Sequence, residues 1–140
     1  VTQVHYDLIL AAEKTAWLLA VAFALWRGDG PARWIAAIYL LGNAAMLGVM
    51  WVRPAEITVD IAGLVAMGAV AVRAPRPWVL WGTAFQLLSA ATRVAAALDD
   101  RIQPLAYSTA LNTWWMLQLA MLVWGTVETS RARPASEAAA

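Results

Sequence analysis

Apolar positions in this chain neither alternate nor recur along a single helical stripe; they run on. Five stretches, roughly residues 8–26, 34–52, 57–72, 78–98 and 105–127, are almost unbroken by charge, and residues 16–26 (AWLLAVAFALW) have no polar side at all. A water-soluble helical domain keeps a polar face on each helix, and here those faces are missing. A bilayer core about 30 Å thick needs roughly 20 helical residues at about 1.5 Å each. Four stretches meet that length, and the third meets it from Ala55 with little tilt. The pattern predicts an all-α polytopic membrane helix bundle of five transmembrane helices over residues 1–128. Residues 129–140 read as a short polar cytoplasmic tail.

The breaks between stretches are turn-rich. Arg27-Gly28-Asp29-Gly30-Pro31 ends the first helix and opens the second, and Arg53-Pro54, Pro75-Arg76-Pro77 and Gln103-Pro104 do the same further on. Charge then sets an orientation. Arg27, Arg33, Arg73, Arg76, Arg131 and Arg133 flank the first connection, the third and the tail. Asp7, Glu13, Glu56, Asp60, Asp99 and Asp100 gather on the opposite side, with Arg53 and Arg101. The positive-inside rule places the N-terminus out and the C-terminus in. A four-span alternative demotes the third stretch to a re-entrant segment and spoils this alternation. Asp7, Glu13 and Lys14 make a poor positively charged leader, so the first stretch reads as a retained span.

Aromatic positions fit the same boundaries. Trp26, Trp34, Trp78, Trp81 and Trp124 fall near inner helix ends, and Tyr6, Trp51 and Tyr107 near outer ends, as an interfacial belt requires. Trp17, Trp114 and Trp115 lie deeper and are candidates for lipid or partner contact. The third stretch is rich in small residues (Ala62, Gly63, Ala66, Gly68, Ala69, Ala71), which predicts a central helix packed against Gly42, Ala44 and Gly48 of the second.

Ionisable groups inside a membrane are candidates for function. Glu13, Lys14, Asp60 and Arg93 all fall in the outer parts of their helices, with Asn112 at a neighbouring depth. Two accounts stay open. One pairs Asp60 or Glu13 with Arg93 as glue between helices while Lys14 reaches the interface. The other makes the cluster the floor of an outward-facing cavity. Asn43, Gln86 and Gln118 sit in mid-span; as interhelical glue, Gln86 and Gln118 would join amides across the fourth and fifth helices.

Composition narrows the chemistry. Hydrophobic residues make up 62% and charged residues 14%, and the net charge of +1 implies no nucleic-acid partner. The chain has no cysteine, which removes thiolate catalysis, thiolate metal sites and iron–sulfur clusters. The one histidine, His5, lies at the outer end of the first stretch, so neither a bis-histidine haem nor a catalytic histidine pair is expected in the bundle. No catalytic residues, cofactor or metal are expected.

One segment carries a resemblance. Arg73, Arg76, Trp78, Trp81 and Phe85-Gln86-Leu87-Leu88, followed by Asp100-Arg101-Ile102, Pro104, Ala106-Tyr107 and Ala110, resemble a pattern in uncharacterised small multi-span inner-membrane proteins of proteobacteria. The resemblance covers the C-terminal half. It implies a multi-pass protein of the bacterial inner membrane and brings no activity or site residues with it.

The reading that follows is a non-enzymatic accessory or scaffold subunit packing against partner helices or its own copies, with Trp114-Trp115 as a contact surface. The alternatives are a small oligomeric transporter or channel using the Glu13/Lys14/Asp60/Arg93 cluster, and a holin-like pore-former. The expected ligand is at most a membrane lipid beside Trp17, its headgroup near Lys14 or Arg93.

Overall fold

The computed structural model describes the backbone of residues 3–49, 53–99 and 101–137. Among these, the chain forms five α-helices and no strand: α1 (Gln3–Arg27), α2 (Gly30–Val49), α3 (Arg53–Arg73), α4 (Pro77–Leu98) and α5 (Pro104–Glu137). Side chains are described for residues 12–49, 55–99 and 101–132. The side chains of His5, Tyr6, Asp7, Trp51, Arg53, Asp100 and Arg133 lie outside the described residues. The fifth helix continues through residues 129–137 instead of ending with the apolar run.

Each helix packs on its neighbour in sequence, and α1 packs on α5, so the five close into a ring. The α3 helix is a member of this ring, touching α2 and α4, and not its centre. Its small residues do not form the expected seam. Ala62 and Ala69 are exposed, and a Cβ added at Gly42, Gly48 or Gly68 would meet nothing within 4 Å. The close approaches lie elsewhere. Gly28 is wedged against Ala24 and Ala32 at the α1–α2 turn, and Gly125 of α5 lies under the indole of Trp78.

One end of the ring is clamped. The Asp29 carboxylate accepts from the Ala32 N–H at 3.2 Å, capping α2, and pairs with Arg76 Nη1 at 2.5 Å, tying the first connection to the third. The pair is partly exposed, so it contributes at most about 1 kcal/mol, whereas losing the cap costs about 1 kcal/mol. Asp29→Asn, which keeps the acceptor, will therefore move the melting temperature in detergent less than Asp29→Ala. Equal losses would show that the cap contributes nothing.

Inside this clamped end lies a dry core drawn from all five helices: Val21 and Ala24, Ala32, Ile35 and Ala36, Met67 and Ala71, Trp78 and Val79, and Leu122. Trp78 is 1% exposed, so it belongs to the core and not to an interfacial belt. Its Nε1 finds no acceptor among the described residues. Gly125 leaves the room that the bicyclic ring fills.

The exterior is apolar. Leu19, Leu41, Leu47, Val65, Val72, Leu98 and Leu105 are all more than half exposed, and Trp26 and Trp34 point outward with them. Among the described residues, two helices, Gly30–Val49 and Ala55–Arg73, are long and apolar enough to cross a membrane by length and composition, with 22% and 11% of those stretches buried. Of the five expected spans, these two meet that measure. The polar groups inside α4 (Gln86, Arg93) and α5 (Asn112, Gln118) lower the hydropathy of those helices, and the described side chains of α1 begin only at residue 12.

Candidate functional site: a polar cavity inside the helix ring

Polar side chains of α3 and α4 meet because their spacing is helical. Glu56 and Asp60 are four residues apart, and Gln86, Ser89 and Arg93 are three and four apart, so each set lies on one face. The two faces join. Arg93 Nε donates to Asp60 Oδ2 at 2.6 Å, and Arg93 Nη1 donates to Glu56 Oε2 at 2.8 Å and to the Tyr107 hydroxyl at 3.3 Å. Ser89 Oγ donates to Asp60 Oδ2 at 3.3 Å, and Gln86 Nε2 to the Asp60 carbonyl at 3.1 Å. One guanidinium thus holds two carboxylates and joins α3, α4 and α5. Side-chain exposures of 17% for Arg93 and 12% for Asp60 keep most water away.

Beside this network the ring is hollow. A cavity of about 370 Å³ is lined from all five helices, at the end opposite the clamp. Glu13 and Lys14 of α1 line it, with Tyr39, Gly42 and Asn43 of α2 and Gly63 of α3. The Asp60–Arg93 network forms one wall, and Asn112, Trp115 and Gln118 of α5 another. At about 1.5 Å per residue, Gln118 lies roughly 20 Å from the start of α5, and Arg93 roughly 8 Å from the end of α4. Arg93 with its carboxylates therefore lies in the outer part, and Gln86 and Gln118 lie deepest among the polar lining groups. The apolar core closes the bundle below.

Glu13 and Lys14 do not join the Arg93 network. Among the described residues neither makes an ion pair; Glu13 is half-buried and Lys14 exposed. The Gln86–Gln118 amide bond does not form either, because Gln86 is taken by Asp60. Gln118 is 3% exposed, faces the cavity and has no hydrogen bond among the described residues. Asn43 bonds within its own helix, donating to the Tyr39 carbonyl at 3.2 Å, and so does not link helices there.

The deep tryptophans part company. Trp17 packs against the apolar core with its Nε1 unsatisfied, and so does not flank the cavity. Trp114 turns inward enough to stack on Phe85 and to donate to Thr92 Oγ1 at 3.1 Å, which leaves little of a contact surface. Trp115 lines the cavity. Sequence reasoning set Glu56 beside Asp60 on the outer side without joining it to Arg93, and it missed Ser89 and Tyr39 as members of the site. The three- and four-residue spacing along α3 and α4 carried the signal for Glu56 and Ser89, and Tyr39 had none.

Comparison of the chain with protein-family models, with curated proteins and with solved structures gave no match.

Proposed function

We propose that this chain is a five-span protein of a bacterial inner membrane, N-terminus outside and C-terminus inside, and that it binds a small solute without catalysing a reaction. The membrane reading is supported by the exposed leucines and valines around the whole ring, a surface far larger than the apolar patches that soluble monomers expose. The five-span arrangement is supported by the alternating arginines, four of which, Arg27, Arg33, Arg73 and Arg76, lie at the clamped end. Membrane lipid surrounds the ring in this proposal, and copies of the same chain are its natural neighbours.

The solute reading rests on one observation: a cavity bordered by polar side chains of all five helices, lying beyond the packed core. Glue alone would leave its polar groups satisfied by one another, as Asp60 and Arg93 are. Glu13, Lys14 and Gln118 are instead left facing a void. A chain of this build is a binding subunit or one half-cycle of a transporter, in which the inner core would have to part for release. The accessory-subunit reading is the second, favoured by the outward Trp26, Trp34 and Trp81, which offer large rings to a partner helix.

Two measurements test this. In the cysteine-free chain, Gln103→Cys will react with a membrane-impermeant maleimide on intact cells and Arg33→Cys will not; labelling of both would leave α3 re-entrant and remove the fifth span. Native mass spectrometry from mild detergent will find the chain carrying a small molecule that Gln118→Leu releases. A stoichiometric partner protein on a chain with nothing bound would transfer the proposal to the accessory reading.

A further inference from the structure

Among the described residues, two charged groups that line the cavity make no ion pair, and they have opposite signs. Glu13 and Lys14 are adjacent on α1, so their side chains leave the helix about 100° apart and do not neutralise each other across the backbone. Neither is within 4.0 Å of an opposite charge among the described residues, and both line the void. The remaining charges close on themselves around Arg93. Below lies an independent feature: Gln118, 97% removed from solvent contact by its 3% exposure, presents an amide with no partner to the same void. Its carbonyl accepts and its NH₂ donates.

Resting on the solute-binding reading above, we infer that the cavity takes a small zwitterion, ammonium end first. The half-buried Glu13 carboxylate meets the ammonium. The exposed Lys14 ammonium meets the anionic group at the rim. Gln118 and Tyr39, both lining the void, then serve as neutral partners for the buried end. A lone cation would leave Lys14 repelling it, and a lone anion would meet Glu13; only a ligand carrying both signs uses both. Partial burial strengthens the contact at Glu13, while the contact at the exposed Lys14 is screened by solvent. The ammonium-and-phosphate chemistry of an ethanolamine phospholipid headgroup and that of a free amino-phosphate or amino-carboxylate solute are the same at this site. In the lipid case the acyl chains would lie outside the ring, against its apolar exterior.

The test uses the full chain in a maltoside detergent with four probes: O-phosphoethanolamine, ethanolamine alone, inorganic phosphate alone, and phosphatidylethanolamine in mixed micelles against phosphatidylglycerol. Binding is read by calorimetry and by native mass spectrometry. O-phosphoethanolamine or phosphatidylethanolamine should bind at least about tenfold more tightly than either single-charge probe. Glu13→Gln and Lys14→Gln should each weaken it by about tenfold, with unchanged circular dichroism because neither residue holds the fold together. Binding of the lipid but not the soluble probe assigns a headgroup site, and binding of the soluble probe assigns a free solute. Equal binding of phosphate alone, or zwitterion affinity untouched in both variants, overturns the inference. If no zwitterion binds but native mass spectra still show an adduct that Gln118→Leu releases, the inference fails and the solute-binding reading survives. If no adduct is seen at all, both fall.

Discussion

Arg93→Ala will lower the stability of the folded bundle by about 3–5 kcal/mol, the cost of leaving buried charge without its partner. The magnitude follows from the arrangement around the guanidinium. Nε and Nη1 serve Asp60 and Glu56 separately, so one truncation strands two carboxylates on the same face of α3, four residues apart. Ser89 and Gln86 still donate to Asp60 but supply no charge. Arg93→Lys restores the charge as a single point and recovers part of the loss, since an ammonium does not reproduce the planar fork. Adding Asp60→Asn to Arg93→Ala also recovers part, because it removes one stranded charge. Unfolding in mixed micelles, read by tryptophan fluorescence, gives the numbers. A double-mutant cycle with no coupling of Arg93 to either Asp60 or Glu56 would sink the account, and appreciable coupling to Glu13 would contradict the geometry.

Gly125→Ala will cost about 3 kcal/mol, at the upper end of what overpacking usually does. The added methyl would fall within the ring of Trp78, which is itself enclosed by the core of the clamped end. A rigid bicycle has no rotamer that clears it without leaving that core, so α4 and α5 must separate. Gly68→Ala is the control: nothing lies within 4 Å of its would-be Cβ, and alanine's better helix propensity makes it neutral or stabilising by up to about 1 kcal/mol. Trp78→Leu in the Gly125→Ala background should relieve the collision. Comparable effects of the two glycine substitutions would mean that Trp78 does not lie over α5 as described.

The helices were legible because apolar runs and Pro/Gly breaks are local signals. The 27–31 turn and Pro77 mark the starts of α2 and α4 to within a few residues, and Pro104 opens α5. That Arg93 pairs with a carboxylate was legible too, from rarity, since an ionisable group in an apolar run needs a counter-charge, but the choice between Asp60 and Glu13 was not. What failed was everything set by rotation about a helix axis. Small residues on α3 suggested a seam, yet which way Ala62 faces depends on where its neighbours sit. Trp78 carries the same apolar-plus-donor character as Trp26, and only the gap left by Gly125, 47 residues later in the chain, tells the core residue from the exposed one. Gln86 was matched to Gln118, but its Nε2 donates to the main-chain carbonyl of Asp60 at 3.1 Å and reaches Oδ1 only at 3.5 Å.

The division of the ring into a filled end and a hollow end has an evolutionary consequence. Side chains such as Ile35, Met67 and Leu122 are constrained by volume, because each is locked among the others. Asn43, Asn112 and Gln118 border empty space, and exchanging one for another polar residue removes little packing. Their identities are therefore free to drift with whatever the cavity is asked to hold. Descendants of one ancestral chain can diverge in ligand while melting at similar temperatures, and the residues that vary most among them will be those that matter most to what each one does.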